Sequence, residues 1–233
     1  MIQWCKRHPI QFMALYLVFY LTFFTLLEAA VQPTVLVHCA LDDLIPFWKY
    51  AILPYYTWFV WIVCTLFWLL WWAPRPEFWR LALPLFTGMT LSLMFCVAVP
   101  NGLALRPAAV PGNDLFAVLV RGLYAADTPT NVCPSIHVFN AITLDMAYQR
   151  SCKLAKPRYR WVKWTAHAVD LSIILSTMLL KQHSVIDVAC GTALAFAIDF
   201  AASVVNVSDL AVPQDAPFHV RATARVKAAI ERS

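Results

Sequence analysis

Two short polar islands interrupt an otherwise apolar chain: Cys133-Pro134-Ser135-Ile136-His137, and Lys181-Gln182-His183 followed by Asp187. Ionisable groups are costly to hold at membrane depth, so in a chain that is 61% hydrophobic they mark a functional site by default. Residues four apart on a helix share a face, which sets Asp187 one turn after His183, in position to accept a hydrogen bond from one imidazole nitrogen. That bond would fix the tautomer and leave the other nitrogen free to attack or to donate a proton. Lys181 adds a cation where an anion would sit, and the helix N-terminus at that point favours an anion as well. In the first island, Pro134 suits a helix start, Ser135 can cap the helix or donate to a phosphate oxygen, and His137 falls in the first turn. Brought together, the islands would make a phosphoryl-transfer site. Each alone also has a plain structural reading, a capped helix end whose histidine is satisfied by a neighbour or by water.

The elements that must position these residues are membrane helices. A length of 233 residues, 13% charged residues and a mean hydropathy of +0.64 describe one polytopic membrane domain rather than a water-soluble globule. Apolar runs reach the roughly 20 residues needed to span a bilayer. We expect six spans, at about Gln11 to Val31, Ala51 to Trp72, Leu81 to Val99, from Ser135 onward, Trp161 to Leu180, and Ser184 to Asn206. Tyr55, Tyr56 and Trp58 at one end of the second span, with Trp71 and Trp72 at the other, match the aromatic belts of two interfaces. Pro100-Asn101-Gly102 is a helix-ending turn signal. The expected fold is therefore all-α, a six-helix transmembrane bundle. Its first two helices lie within 1–80, its catalytic core within 81–206, and a basic cytoplasmic tail within 207–233.

Lysines and arginines favour the cytoplasmic side of short loops. With both termini inside, fourteen of the eighteen fall on cytoplasmic segments, leaving Lys49, Arg106, Arg121 and Lys181 outside. Both islands and Arg106-Pro107 then share the extracytoplasmic face. The net charge of +5 is mainly a topology signal, so no nucleic-acid partner is expected. The apolar run after Lys6, Arg7 and His8 is long, and Glu28-Ala29-Ala30 is not a cleavage pattern, so the first span is expected to be retained.

Outside the islands the signals are weaker. Seven cysteines show no metal-type spacing. Cys64, Cys96 and Cys190 read as small buried hydrophobes, and a Cys39–Cys133 disulfide is compatible with the topology but has no spacing motif behind it. Within the long segment from Pro100 to Val132, Asn113-Asp114 would cap a short helix carrying Leu115, Phe116, Leu119 and Leu123, either lying in the interface plane or packed as a connector. His167, Asp170 and Asp145 could form a proton path, but such groups more often pair within a bundle. The stretch from Val220 to Arg232 could form a surface helix, and Asn206-Val207-Ser208 matches a glycosylation pattern on the wrong side of the membrane.

These motifs resemble those of the type 2 phosphatidic acid phosphatase superfamily, integral-membrane lipid phosphatases and their phosphotransferase relatives. The family's three signatures are Lys-x-x-x-x-x-x-Arg-Pro, Pro-Ser-Gly-His and Ser-Arg-x-x-x-x-x-His-x-x-x-Asp. Here they correspond to Val99 through Arg106-Pro107, to Pro134-Ser135-Ile136-His137, and to Ser176-Thr177 through His183 to Asp187. Val99 stands for the lysine, Ile136 for the glycine and Thr177 for the arginine. The larger residue at Ile136 is similar to the inositol phosphorylceramide synthase branch.

The resemblance implies a metal-independent, cofactor-free double displacement on a lipid phosphate or diphosphate. His183 would be the nucleophile, Asp187 would orient it, and His137 would be the general acid and then base. Arg106, Ser135 and Lys181 would bind phosphate oxygens, with Lys181 replacing the missing family cations. Hydrolysis is the leading expectation and transfer to a lipid-type hydroxyl the alternative. Two other readings compete: a lipid-binding membrane protein or transporter without turnover, and a metal site on His183 and Asp187, which the nearby cations disfavour.

Overall fold

The computed structural model of the protein describes residues 2–204. The expectations for the tail, including the Val220 to Arg232 helix and Asn206-Val207-Ser208, lie outside the described residues. Nine α-helices occur among the described residues: α1 (Ile2–Arg7), α2 (Pro9–Ala30), α3 (Ala40–Leu44), α4 (Ile52–Trp72), α5 (Arg75–Ala98), α6 (Leu115–Ala126), α7 (Ile136–Arg150), α8 (Arg160–Leu179) and α9 (Val185–Val204). One two-residue pair of parallel strands, β1 (Val35–Leu36) and β2 (Asn101–Gly102), joins the segment after α2 to the segment after α5.

Four helical stretches are long and apolar enough to cross a membrane: Pro9–Ala30, Lys49–Trp72, Arg75–Ala98 and Val185–Val204. The expected fourth and fifth spans differ from them. With 15 residues, α7 is about 22 Å long, less than the roughly 30 Å of bilayer hydrocarbon. α8 has 20 residues but carries Arg160, Lys163, His167 and Asp170 in its first three turns. α7 is an interior helix, whereas α8 is buried on one face and exposes Trp161, Trp164, Leu171 and Leu175 on the other. α7 packs against α5, α8 and α9, and α8 packs also against α4, so His137, Asn140 and Thr143 of α7 and Asp170 of α8 meet protein.

Between lipid-facing helices the drive to associate is close packing rather than removal of apolar surface from water. Phe139 of α7 illustrates it, lying so close to Gly88 of α5 that a Cβ there would come 2.0 Å from its ring. Around it, Leu69, Phe78, Leu85 and Leu144 are fully or almost fully buried. α2 is held mainly by α5, through Tyr16 stacked on Phe86 at 4.1 Å and donating its hydroxyl to the Phe86 carbonyl.

The segments that carry the islands gather at one end of the bundle, which we call the histidine end. Asp114 caps α6, its Oδ1 accepting from the amides of Phe116 and Ala117, as the Asn113-Asp114 signal implied. α6 buries Ala117, Val120 and Leu123, the last two clustering with Ile52, Tyr55 and Leu180, while Leu115 and Val118 are exposed, so it packs on the bundle through one face. Cys39 and Cys133 are free thiols. The pairing expected of His167 is present, its Nδ1 lying 2.8 Å from Asp145 Oδ2, while Asp170 accepts from the Trp61 indole at 3.0 Å.

Candidate active site

The second island forms because α8 ends in a left-handed turn. Lys181 has φ +54°, and the amides of Gln182 and His183 both return to the Thr177 carbonyl, at 2.9 and 3.2 Å. A left-handed residue after the last helical turn is a common way to satisfy the orphan carbonyls there. α9 then starts afresh. Ser184 Oγ accepts from the Ile186 amide at 3.1 Å, and Asp187 Oδ2 accepts from the Ser184 amide at 2.9 Å. His183 is thereby fixed in the turn just ahead of α9, with Asp187 in the first turn behind it.

The first island is held from the other side. Ser135 caps α7 by accepting from the Val138 amide at 3.3 Å, and its own amide donates to the Asp187 carbonyl at 3.3 Å. Gly191 of α9 permits this approach, since a Cβ there would lie 2.6 Å from the Ser135 carbonyl oxygen. Upstream, Asn101 stitches the β2 segment to the island: its Oδ1 accepts from the amides of Val132 and Cys133, and its Nδ2 donates to the Cys133 carbonyl.

The result is a pair of facing imidazoles. His137 Nδ1 lies 3.2 Å from His183 Nε2, and His183 Nδ1 lies 3.4 Å from Asp187 Oδ2. The His183 Nδ1 contact with Asp187 is an ion-pair contact and not a hydrogen bond; with a proton on that nitrogen, Nε2 is the lone pair and His137 Nδ1 carries the proton between the rings. Both histidines and Asp187 are buried. The His137 ring packs 4.2 Å from that of Trp58 and 4.7 Å from that of Tyr55.

Both histidines line a cavity of about 300 Å³. Its polar wall also contains Asp127, Thr128, Thr130, Asn131 and Gln182, and the rest is mainly apolar. Glu28, at the end of α2, ties this wall down by accepting from the Thr128 amide and hydroxyl.

The other expected site residues sit around the cavity rather than in its lining. Arg106 lies behind it, stacked 4.4 Å from the Tyr124 ring and donating to the carbonyls of Tyr124 and Asp127 and to Gln182 Oε1. Burial pulls its guanidinium below the usual value, partly offset by Asp127. Ser135 is spent on the α7 cap. Lys181 points away from the histidines: its Nζ donates to the carbonyls of Asp42 and Ile45, at 2.7 and 2.5 Å, at the end of α3. A cation suits helix-end carbonyls, and a long flexible stem reaches them as easily as it would reach a phosphate.

Several residues of the site carry little sequence signal. Asp42 is a hub beneath the second island, accepting from Ser184 Oγ at 2.6 Å and from the amides of Val185 and Cys39 at 2.8 Å each. Burial raises its carboxyl, but the Ser184 hydroxyl and those amides more than offset this and hold it below the usual range. Asp127 goes the other way. Burial pushes it above the usual range despite the pull of His183, the Tyr55 hydroxyl and Arg106. Gln182 has its Oε1 fixed on Arg106, which can only donate, so its Nε2 is left without a protein partner.

Among the described residues no three His, Cys, Asp or Glu side chains converge as a metal-ligand group. The chain matches no family model, no curated protein and no solved structure.

Proposed function

We propose that this chain is a membrane phosphoryl-transfer enzyme acting on lipid phosphate esters through a phosphohistidine, most simply as a phosphatase. The observation that carries the reading is the contact of His137 Nδ1 with His183 Nε2 at 3.2 Å, backed by Asp187 and facing a cavity. In the first step the His183 Nε2 lone pair attacks phosphorus while the ester P–O bond breaks, and His137, entering the step as an imidazolium, gives its Nδ1 proton to the leaving oxygen and becomes neutral. In the second step His137 takes a proton from water, whose oxygen attacks phosphorus as the N–P bond breaks and phosphate leaves. Asp187 stabilises the imidazolium character that His183 acquires. Arg106 contributes positive potential from behind the wall, and the N-termini of α7 and α9 add partial positive charge on the same side.

In this proposal α7 and α8 complete six membrane crossings, α7 from inside the bundle, the termini are cytoplasmic and the histidine end is extracytoplasmic, as the lysine and arginine distribution favours. The resemblance to the type 2 phosphatidic acid phosphatase signatures supports the chemistry at His137, His183 and Asp187. Transfer to a bound lipid hydroxyl instead of water uses the same intermediate.

A second reading, lipid-phosphate binding without turnover, has one observation in its favour: neither Arg106 nor Lys181 lines the cavity, so the phosphate would meet no side-chain cation directly. Purified protein assayed with a panel of lipid phosphates separates them. Release of inorganic phosphate, lost in His183→Ala and His137→Ala, supports hydrolysis; phosphorylated alcohol products support transfer. Saturable binding with no product supports the second reading.

A further inference from the structure

The histidine cavity carries a charge balance that a phosphate alone does not satisfy. Apart from the two histidines, its described lining holds one residue of a charged type, Asp127, and it is an acid. Glu28 adds a second carboxylate behind Thr128, accepting from that residue's amide and hydroxyl. The Arg106 guanidinium bonds to neither carboxylate, since it donates to the carbonyls of Tyr124 and Asp127 and to Gln182 Oε1. Tyr55 donates its hydroxyl to Asp127 Oδ2 at 3.1 Å. No group among the described residues donates to Oδ1, and unlike the sealed Nε2 of Gln182 that oxygen keeps open surface toward the cavity. Burial pushes the Asp127 carboxyl above the usual range, a penalty that a cation beside it would relieve.

Facing this acid is an aromatic wall. Phe24 of α2 and Tyr56 and Phe59 of α4 line the same cavity, Phe59 exposed and the other two half-buried. Trp58 lines it too and packs 4.2 Å from the His137 ring, so the wall adjoins the reacting centre. The face of an aromatic ring is negative and attracts an ammonium group, more strongly away from water, and several rings around one cation make a quaternary-ammonium pocket. A volume of about 300 Å³ leaves room for such a group beside a phosphate.

We propose that the cavity contains an ammonium subsite, formed by Asp127 Oδ1 and the rings of Phe24, Tyr56, Trp58 and Phe59, beside the phosphate position at His183. Its ligand is a phosphate ester whose alcohol carries an ammonium group, either as a zwitterionic phospholipid headgroup or as the free phosphorylated amino alcohol. Such a ligand brings its own counter-charge, which accounts for a phosphate site whose lining holds no lysine or arginine. The proposal rests on the phosphoryl-transfer reading for the position of the phosphate. Binding of the ammonium group does not depend on turnover.

The test separates the positive charge from the shape of the group. Phosphocholine is compared with dimethylbutyl phosphate, its isostere in which an uncharged carbon replaces the nitrogen, by calorimetric titration of purified protein in detergent. Wild-type protein should bind phosphocholine at least about tenfold more tightly than the isostere, the scale of a desolvated ammonium among aromatic rings. Asp127→Asn removes the negative charge and keeps the shape, and should cut that preference by at least about tenfold, as for one partner of a buried charge pair. Phe59→Leu, at an exposed position, should cut it by about two- to fivefold. Both ligands share the phosphate, so a general loosening of the site moves both constants together and leaves their ratio unchanged.

The same comparison made in mixed micelles, with phosphatidylcholine and its dimethylbutanol analogue, distinguishes the two sources. A preference in both arms assigns the subsite to a lipid headgroup, and a preference in the soluble arm alone assigns it to a free phosphate ester. Equal affinity for the charged and neutral ligands in both arms, or no binding of either, overturns the subsite and leaves the phosphoryl-transfer reading to be judged by its own phosphopeptide. A preference that survives intact in both Asp127→Asn and Phe59→Leu overturns it as well. A preference lost in Asp127→Asn, in a protein that forms no phosphohistidine, keeps the subsite and removes the phosphoryl-transfer reading.

Discussion

The approach of α7 to α9 at Gly191 makes a sharp prediction, because the same substitution can be placed at a glycine with no such neighbour. In Gly191→Ala the added Cβ meets the Ser135 carbonyl oxygen at 2.6 Å and Val138 Cβ at 3.2 Å. The first of these is backbone, which has no rotamer with which to escape. Overpacking of this kind costs about 1–3 kcal/mol, and the gain in helix propensity over glycine offsets about 1 kcal/mol of it. With the obstacle rigid the upper part of the range applies, leaving a net loss of about 1–2 kcal/mol. For a chain of this size that lowers the apparent Tm by about 2–8 °C. The larger effect is on geometry. Relief requires the helix starts to part by several tenths of an ångström, which loosens the Ser135 amide from the Asp187 carbonyl and His137 from His183. A misplacement approaching 1 Å costs about a hundredfold in rate, so we expect kcat to fall by about 10- to 100-fold with little change in KM. Gly122 of α6 is the matched control. A Cβ there meets nothing within 4 Å, so Gly122→Ala should stabilise by about 0.5–1 kcal/mol and leave turnover unchanged. Measured by thermal unfolding in detergent and by phosphate release, equal Tm and kcat for the two variants would refute the reasoning.

Three further outcomes follow from the site. Asp42→Asn weakens three bonds to a charged acceptor and should cost about 2–3 kcal/mol in thermal unfolding. Because the Asp42 carboxyl is held below its ordinary value, its stabilisation is complete above the unfolded value near 4 and is lost as pH falls through the folded one, so the variant should lose part of the wild-type acid sensitivity. Lys181→Met should lower Tm by detaching the α8–α9 turn from α3, while leaving vanadate affinity within about twofold, as for a change outside the anion's contacts; a large loss of vanadate affinity with unchanged Tm would restore Lys181 to the phosphate. Asp127, held above the usual carboxylate range, is neutral at low pH and becomes negative as pH rises through its raised value. Vanadate binding should therefore weaken across that rise, and Asp127→Asn should flatten the dependence.

The histidine islands were legible because His, Asp and Ser at the ends of apolar runs stand out against 61% hydrophobic sequence. The helix limits followed from the same contrast: the second, fifth and sixth expected spans start within a residue of α4, α8 and α9. α5 begins six residues ahead of the expected Leu81, because Pro76 and Glu77 suit a helix's first turn although they are poor markers of a membrane span. Six spans were expected where four helices qualify among the described residues, since α7 is short and enclosed by other helices and α8 carries Arg160, Lys163, His167 and Asp170 in its first three turns. Lys181 shows where residue type runs out. Its sequence neighbours place it beside His183, but its left-handed backbone turns the side chain toward α3, and that direction is not encoded in spacing. Asn101 read only as part of a helix stop, although its amide organises the loop before His137. Asp42 lies in the short helix α3 and Asp127 directly follows α6, both outside the expected spans, and their roles depend on burial, which only the assembled bundle supplies.

The central claim is a phosphorus–nitrogen bond at His183, and the most direct measurement is to trap it. Purified protein is mixed with a lipid phosphate labelled at phosphorus, quenched rapidly in base and digested for mass spectrometry. The account predicts an acid-labile phosphoryl group on the peptide containing His183, absent in His183→Ala and formed more slowly in His137→Ala, which lacks the general acid of the first step. Turnover without a phosphopeptide, or a label that persists in His183→Ala, would contradict it.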